Sequence, residues 1–411
     1  MVATSLKDRD EGLIDVPGMA RTRAVPAAIV FGPNASGKSN LLLSLGFMRE
    51  QVLSSHRSGG PETTIDRHAF ALSARCKDEP TIVEADLIVD AVRYTYGFAA
   101  TDTAFEREWL YAYPYGTRRK LFERTSPSEV EFGPALKGQR QIMKGLMREN
   151  SLYLSVAVQN QHELLSKLST FFASIGFSRN ISISASDLRP LSDDKSLDQR
   201  AVEFIGLCGT GVNGFRSVAE EFDDYSKTFR KQFANLILDS APPPTDLDRE
   251  RFLSLLLEDK QTVELAHVND SGFSEYFAID RESAGTRRLL HLLRGCFRAL
   301  DNGTLMVIDE IDASLHTQIC EAIVYLFSDP RINTKGAQLI ATTHDTNLLR
   351  SEFLRRDQIW LTEKDQQGAT ELFSLADIKT RAEDNFELGY LQGRYGAVPF
   401  TAPLSDLFAA Q

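Results

Sequence analysis

Cysteine is scarce: Cys76, Cys208, Cys296 and Cys320 stand far apart in 411 residues, with no C-x-x-C pair among them. Metal and redox readings lack the spacing they need, so these read as small apolar side chains of a buried interior. Long hydrophobic runs are missing too. No stretch reaches the roughly 18 apolar residues of a membrane span, and MVATSLKDRDEG has neither a basic-then-apolar leader pattern nor an Arg-rich amphipathic one. The expectation is a cytoplasmic protein with no membrane contact. Positive charge is not in excess, the formal net charge being −11. That excludes a surface that is basic all over and leaves a local basic stripe open. Internal repeats are absent, the only low-complexity run is PPP, and the helical stretches are too interrupted by Gly and Pro for a long coiled coil. What the chain has is apolar content, 42% hydrophobic residues, enough for a large core of two or three domains or one core with an insertion.

The most informative stretch is IVFGPNASGKSNLL, Ile29 to Leu42. An apolar strand, AAIVFG, runs into a glycine-bounded loop and then into the helix NLLLSLGFMREQVL. Gly32, Pro33, Asn34, Ala35, Ser36, Gly37, Lys38 and Ser39 fit the G-x-x-x-x-G-K-[ST] pattern. Its backbone N–H groups and helix N-terminus converge on phosphates, Asn40 continuing the helix start. Lys38 is then the point charge on the β- and γ-phosphates, and Ser39 a hydroxyl ligand for Mg²⁺. ATP and Mg²⁺ are the expected cofactors.

A matching second half lies far downstream. TLMVIDE, Thr304 to Glu310, is an apolar strand ending in two carboxylates. Asp309 suits a metal held through water, and Glu310 suits orienting and deprotonating the attacking water. AQLIATTHDTNLL gives another apolar strand, ending at Thr343 and His344. A neutral imidazole there can hydrogen-bond the γ-phosphate or the attacking water. Between them, IDASLH places Ser314, Leu315 and His316 just past the carboxylates. Upstream, Ser283, Ala284, Gly285 and Thr286 open an apolar-faced helix, a second anion-binding helix start or a plain serine cap. One chain already has its phosphate loop, so a second γ-phosphate binder points to nucleotide held between two subunits.

The remaining chain divides by pattern. Residues 1–20 show no period and read as peripheral. His56 to Thr64 is a polar loop, and 66–133 is rich in β-branched and aromatic residues, an antiparallel lobe with Tyr94, Tyr96, Phe98, Trp109 and Tyr111 at near-alternate positions on sheet faces. From Gly138 the period turns helical through QRQIMKGLMREN, HELLSKLSTFFASIGF, LDQRAVEFIGLC and FRSVAEEFDDYSKTFRKQFANLILDS, as far as the breaker at Ala241 to Asp246. Strands return in QTVELAHV and YFAID. The expected domains are 1–137, the first half of the core with the antiparallel lobe, 138–258, a helical insertion, and 259–411, the second half. Phe386, Tyr390 and Leu391 lie at helical spacing on a segment that docks on the core. Arg118, Arg119, Lys120, Arg124, Arg350, Arg355 and Arg356 alternate with acids and suit either a solvated face or nucleic-acid contacts.

GPNASGKSN at 32–40, SAGTRR at 283–288, VIDEIDASLH at 307–316 and TTHD at 342–345 together resemble the ATP-binding-cassette ATPases of the SMC and RecF type. More closely, they resemble the compact bacterial AAA-family or abortive-infection ATPases of anti-phage systems, as does Arg355 to Phe400. The resemblance implies an α/β P-loop NTPase fold of the ABC/SMC-head type, with an antiparallel lobe and a helical insertion between Walker A and signature. It implies ATP hydrolysis in a head-to-tail homodimer or higher oligomer, in which Lys38 and Ser39 of one subunit face Ser283, Gly285 and Thr286 of the other and Ser314 crosses the seam. It also implies a Q-loop glutamine near Mg²⁺, for which Gln159 and the nearby Gln161 are the candidates. The wider expectation is a sensor or regulatory ATPase working with a separately encoded effector. A RecF-like clamp whose ATP gates DNA binding is the alternative; the long separation of Lys38 and Ser283 sets aside a transporter motor. Three departures stand out. The usual N-F-x-S-F-like segment that helps hold adenine is not seen here, the signature lacks its usual leucine and second glycine, and the D-loop-like turn reads Ala313-Ser314.

Overall fold

The computed structural model describes residues 1–6, 8–16, 19, 22–57, 60, 62–178, 197–220, 228–229, 231–233, 260–381 and 384–397. The chain forms two compact units, Met1–Asn180 with Gly295–Gln411, and Ile181–Arg294.

In the first unit, short strands β1 (Ile14–Asp15) and β2 (Arg23–Ala24) precede β3 (Ala27–Phe31), whose five residues are all buried. An unbroken apolar run is what a strand covered on both faces requires. The chain then turns into α1 (Lys38–Ser54) and the short α2 (Ala74–Asp78). An antiparallel sheet follows in simple sequence order, from β4 (Thr81–Val89) through β5 (Val92–Ala100), β6 (Phe105–Tyr113) and β7 (Arg119–Ser126) to β8 (Glu129–Phe132). Tyr94, Tyr96, Phe98, Trp109 and Tyr111 are all buried, and Phe98 meets Phe105 edge-on at 5.3 Å.

Helices α3 (Arg140–Leu146), α4 (Tyr153–Gln159) and α5 (Glu163–Ser174) come next. Here the structure differs from the expected insertion at 138–258. Leu154, Val156, Leu165, Leu168 and Phe172 share one core with Leu42, Met48 and Val52 of α1 and with Phe98, Leu110 and Phe122 of the antiparallel sheet. Their apolar faces are buried inside the first unit. The segment expected to end α5 as helix leaves it instead as strand β9 (Gly176–Ser178). A side chain at Gly176 would sit 2.8 Å from Met306 Sδ, so glycine here lets Met306 pack directly against the strand.

The second unit contains α6 (Gln199–Leu207), β10 (Val212–Glu220), β11 (Lys260–Val268) and β12 (Ser274–Ala278). The helical period expected from Phe215 gives way to strand β10, because Phe215 pairs across to Leu265 in an antiparallel ladder. Cross-strand pairing overrides local preference in such cases. Most of the remaining expected helix and the breaker at Ala241 to Asp246 lie outside the described residues, apart from helical pieces at 228–229 and 231–233.

After α7 (Ala284–Asn302) come β13 (Leu305–Ile308), α8 (Thr317–Ser328), β14 (Gln338–Thr342), β15 (Ile359–Lys364), β16 (Thr370–Ser374) and α9 (Phe386–Leu391). The central sheet runs β16-β15-β3-β14-β13-β9. All its pairs are parallel except the β15–β16 hairpin. β14 lies between β3 and β13 although it follows both in sequence, so the loops after all three strands open at one edge.

Candidate functional site

Ligands of open parallel sheets meet the carboxyl ends of the strands, and here that edge carries the sequence motifs. Past β3 the chain bends through Gly32, Pro33, Asn34, Ala35, Ser36 and Gly37 into α1. A Cβ on Gly32 would lie 2.3 Å from Thr362 Oγ1. One on Gly37, whose φ is +103°, would lie 2.0 Å from Thr370 Oγ1. Both glycines are therefore demanded by the β15–β16 hairpin behind the loop. Ser36 Oγ and Thr362 Oγ1 are 2.6 Å apart, and Thr370 Oγ1 donates to the Ser36 carbonyl at 2.9 Å. Asn34, Ala35, Ser39 and Asn40 are exposed. No acidic residue stands in the first turn of α1, leaving its N-terminus complementary to an anion.

Lys38 is buried at 6% exposure and donates to the carbonyls of Gly32 at 2.7 Å and Pro33 at 3.0 Å. Burial lowers its pKa, while Asp309, Asp312 and Glu310 act in the opposite sense. His344 Nδ1 lies 3.5 Å from the Lys38 ammonium, and Ser39 Oγ donates to Asp309 Oδ1 at 3.2 Å. The ends of three strands thus bring the lysine, the hydroxyl, the carboxylate and the imidazole to one place.

Two residues that the sequence reading did not single out organise this group. Thr342, fully buried, donates to Asp309 Oδ1 at 2.6 Å and accepts from the Glu310 amide at 2.8 Å. Asp312 accepts from Thr343 Oγ1 at 2.8 Å and from the His344 amide at 3.3 Å, fixing the turn that presents the imidazole. Both belong to quoted motifs, so the available signal was a polar side chain one or two positions from a candidate. Glu310 has φ +51° and Ser314 φ +62°, a conformation rare outside glycine that clusters at functional turns. Gln159 is the exposed last residue of α4.

Ser283, Gly285 and Thr286 belong to the second unit. Ser283 is exposed, and its Oγ accepts from the Thr286 amide at 3.0 Å and lies 2.9 Å from Thr286 Oγ1, the geometry of a helix cap.

Several arginines of the expected basic stripe are committed elsewhere. Arg124 is fully buried and donates to the carbonyls of Ser151 at 2.8 Å and Glu149 at 3.0 Å. Arg355 pairs with Asp357 at 2.9 Å and Asp10 at 3.0 Å, and Arg356 with Asp8 at 2.6 Å. Arg350 pairs with the buried Glu387.

Residues 27–138 and 153–350 match the family described as "AAA domain, putative AbiEii toxin, Type IV TA system". The matched span includes the phosphate loop, both strand-end carboxylates and His344. The chain belongs to this AAA-domain family. It has the mixed α/β fold of a P-loop ATPase. Similar solved structures include the Smc head bound to the C-winged helix domain of ScpA, 15% identical over 85% of this chain and 90% of that one, with a TM-score of 0.36. Another is the Smc head with an extended coiled coil bound to the C-terminal domain of ScpA from Pyrococcus furiosus, 10% identical over 88% of this chain and 94% of that one, with a TM-score of 0.33. No match occurs among curated proteins.

The AAA-domain site fits a magnesium nucleotide on its donor set. Mg²⁺ takes one or two protein oxygens and completes its shell with water and phosphate; the Ser39 hydroxyl would supply one directly, and the Asp309 carboxylate, 3.2 Å from it, would hold the ion through water. Among the described residues, no group of three or more His, Cys, Asp and Glu side chains forms a separate metal cage. Nor is any described helix long and apolar enough to cross a membrane.

Proposed function

We propose that this AAA-domain protein binds and hydrolyses ATP, and that turnover switches a dimer between closed and open states. The observation that carries the reading is the contact of Ser39 Oγ with Asp309 Oδ1 at 3.2 Å, beside Lys38 and His344. Lys38 and the loop amides hold the β- and γ-phosphates, and Ser39 and Asp309 hold Mg²⁺, whose charge offsets that developing on the phosphoryl oxygens. Glu310, one residue past the metal carboxylate, orients the attacking water and accepts its proton. His344 hydrogen-bonds the γ-phosphate or the attacking water, and Gln159 or the nearby Gln161 is the candidate Q-loop glutamine for the metal.

Closure is head to tail. Ser283, Gly285 and Thr286 of one subunit cover the γ-phosphate held by Lys38 and Ser39 of the other, and Ser314 lies at the seam. The exposed Ser283 hydroxyl at a helix start supports this role. Loss of the γ-phosphate removes the differential contact and releases the closed state. The reaction then acts as a timer for a partner, a separately encoded effector in a phage-defence pair, in a cytoplasmic setting. The toxin–antitoxin wording of the family description supports that biological role. Arg124, Arg355 and Arg356 are engaged inside the fold, which weakens support for the RecF-like DNA clamp.

Glu310→Gln is expected to lower phosphate release by about 10²- to 10⁴-fold while ATP affinity is kept. Phosphate release and equilibrium binding measured on one preparation test this. Unchanged turnover would refute Glu310 as the base.

A further inference from the structure

The nucleoside end of the ligand needs a receiving surface, and the fold points to one beside the phosphate loop. The γ-phosphate end of the site is taken by Lys38, Asp309 and His344. The opposite flank of the loop, Ser36 and Gly37, is backed by the β15–β16 hairpin through Thr362 and Thr370. The turn of this hairpin is held by Asp365. Asp365 Oδ1 accepts from the amides of Gln367 at 2.9 Å and Ala369 at 2.7 Å, and Gln366 and Gln367 stand exposed.

A second loop, distant in sequence, meets this turn. Leu72 is 75% exposed, yet its Cδ1 lies only 2.8 Å from where a Cβ on Gly368 would stand. The loop that carries it is anchored by Arg67, whose side chain is 2% exposed. Arg67 grips Asp102 at 2.5 Å and the carbonyls of Glu79 and Lys77 at 2.7 Å each. An apolar side chain is thus held out beside a phosphate-binding loop, against a turn whose glutamine amides offer both donors and acceptors.

We propose that the base of the bound nucleotide packs on Leu72 at its seam with the β15–β16 turn. This rests on the nucleotide reading above. The flat apolar face of a base covers the leucine, and the exposed amides of Gln366 and Gln367 meet its polar edge. The hairpin so serves two ends of one ligand, bracing the phosphate loop through Thr362 and Thr370 and bounding the base through its turn.

Calorimetric titration of the full chain in Mg²⁺ with two probes, ATP and inorganic tripolyphosphate, separates the base from the phosphates. In the wild type, ATP binds more tightly than tripolyphosphate. Leu72→Ser weakens ATP by about 10-fold, the scale of one lost apolar contact, and leaves tripolyphosphate unchanged; Leu72→Phe keeps ATP affinity. An unchanged ATP affinity in Leu72→Ser, or an equal loss for both probes, overturns the proposal. Binding of neither probe to the wild type overturns the nucleotide reading beneath it.

Discussion

The Thr342 hydroxyl joins two strand-end acids, donating to Asp309 and accepting from the amide of Glu310. It therefore fixes the direction of the Asp309 carboxylate and the unusual backbone of its neighbour together. Replacing it with the isosteric valine removes one donor and one acceptor in a fully buried position, a change worth about 1–3 kcal/mol. Thr342→Val is expected to raise the Mg²⁺ concentration for half-maximal ATP hydrolysis by about 10-fold, the usual scale for groups that orient a metal ligand. A metal titration of turnover checks this, alongside a lowered melting temperature. Lys38, Ser39, Asp309 and His344 were legible in the sequence because each sits inside a short contiguous motif. Thr362 and Thr370 were not, since the carbonyl and hydroxyl of Ser36 that they meet lie more than three hundred positions away, and no local pattern encodes such a meeting.

Among the elements, α4 shows what period alone leaves out. Its apolar face was readable, but its anchorage was not. Glu108 of β6 is buried and accepts from the first two amides of that helix, Tyr153 at 2.6 Å and Leu154 at 3.0 Å, and from the Tyr96 hydroxyl at 3.0 Å. Burial pushes its carboxyl pKa up, against Arg124 and these donors. A carboxylate at a helix N-terminus satisfies amides that have no partner within the helix. This places α4, with Gln159 at its far end, under the control of the antiparallel sheet. Glu108→Ala is expected to destabilise the protein by about 2–4 kcal/mol and to speed hydrogen exchange at Tyr153 and Leu154. Glu108→Gln, which keeps an acceptor, is expected to do so less; exchange measured by amide resolves the two. The strand β10 was hidden for a related reason, its apolar residues fitting a helix until β11 offered a ladder.

At the scale of the whole chain, the alternation of apolar strands and motifs made a parallel nucleotide-binding sheet legible, while the role of the N-terminal segment was not. Thr4 and Asp8, in a stretch with no period of its own, clasp the buried Asp357 and Arg356 within the first unit. Asp357 Oδ2 accepts from both the amide and hydroxyl of Thr4, and Asp8 pairs with Arg356 across a separation of 348 residues. The charges in the sequence could not distinguish this from a solvated face, because what decides it is burial: the Arg356 and Asp8 side chains are 9% and 7% exposed. Burial alone would raise the Asp8 pKa, but the hydrogen bonds and charge of Arg356 and the charge of Arg355 outweigh it and hold the carboxyl below its ordinary range. A group whose folded pKa is depressed contributes stability above its unfolded pKa, near 3.9 for Asp, and loses that contribution as pH falls through the folded value. Asp8→Asn is therefore expected to cost about 3 kcal/mol at neutral pH, where it leaves Arg356 without its charge partner. The gap in melting temperature between variant and wild type should hold from pH 7 to about 5 and narrow below pH 4 as the wild-type carboxyl takes up its proton. Melting curves of both proteins across that range check it, and a gap that widens toward low pH would show that Asp8 holds the N-terminal segment by some means other than its charge.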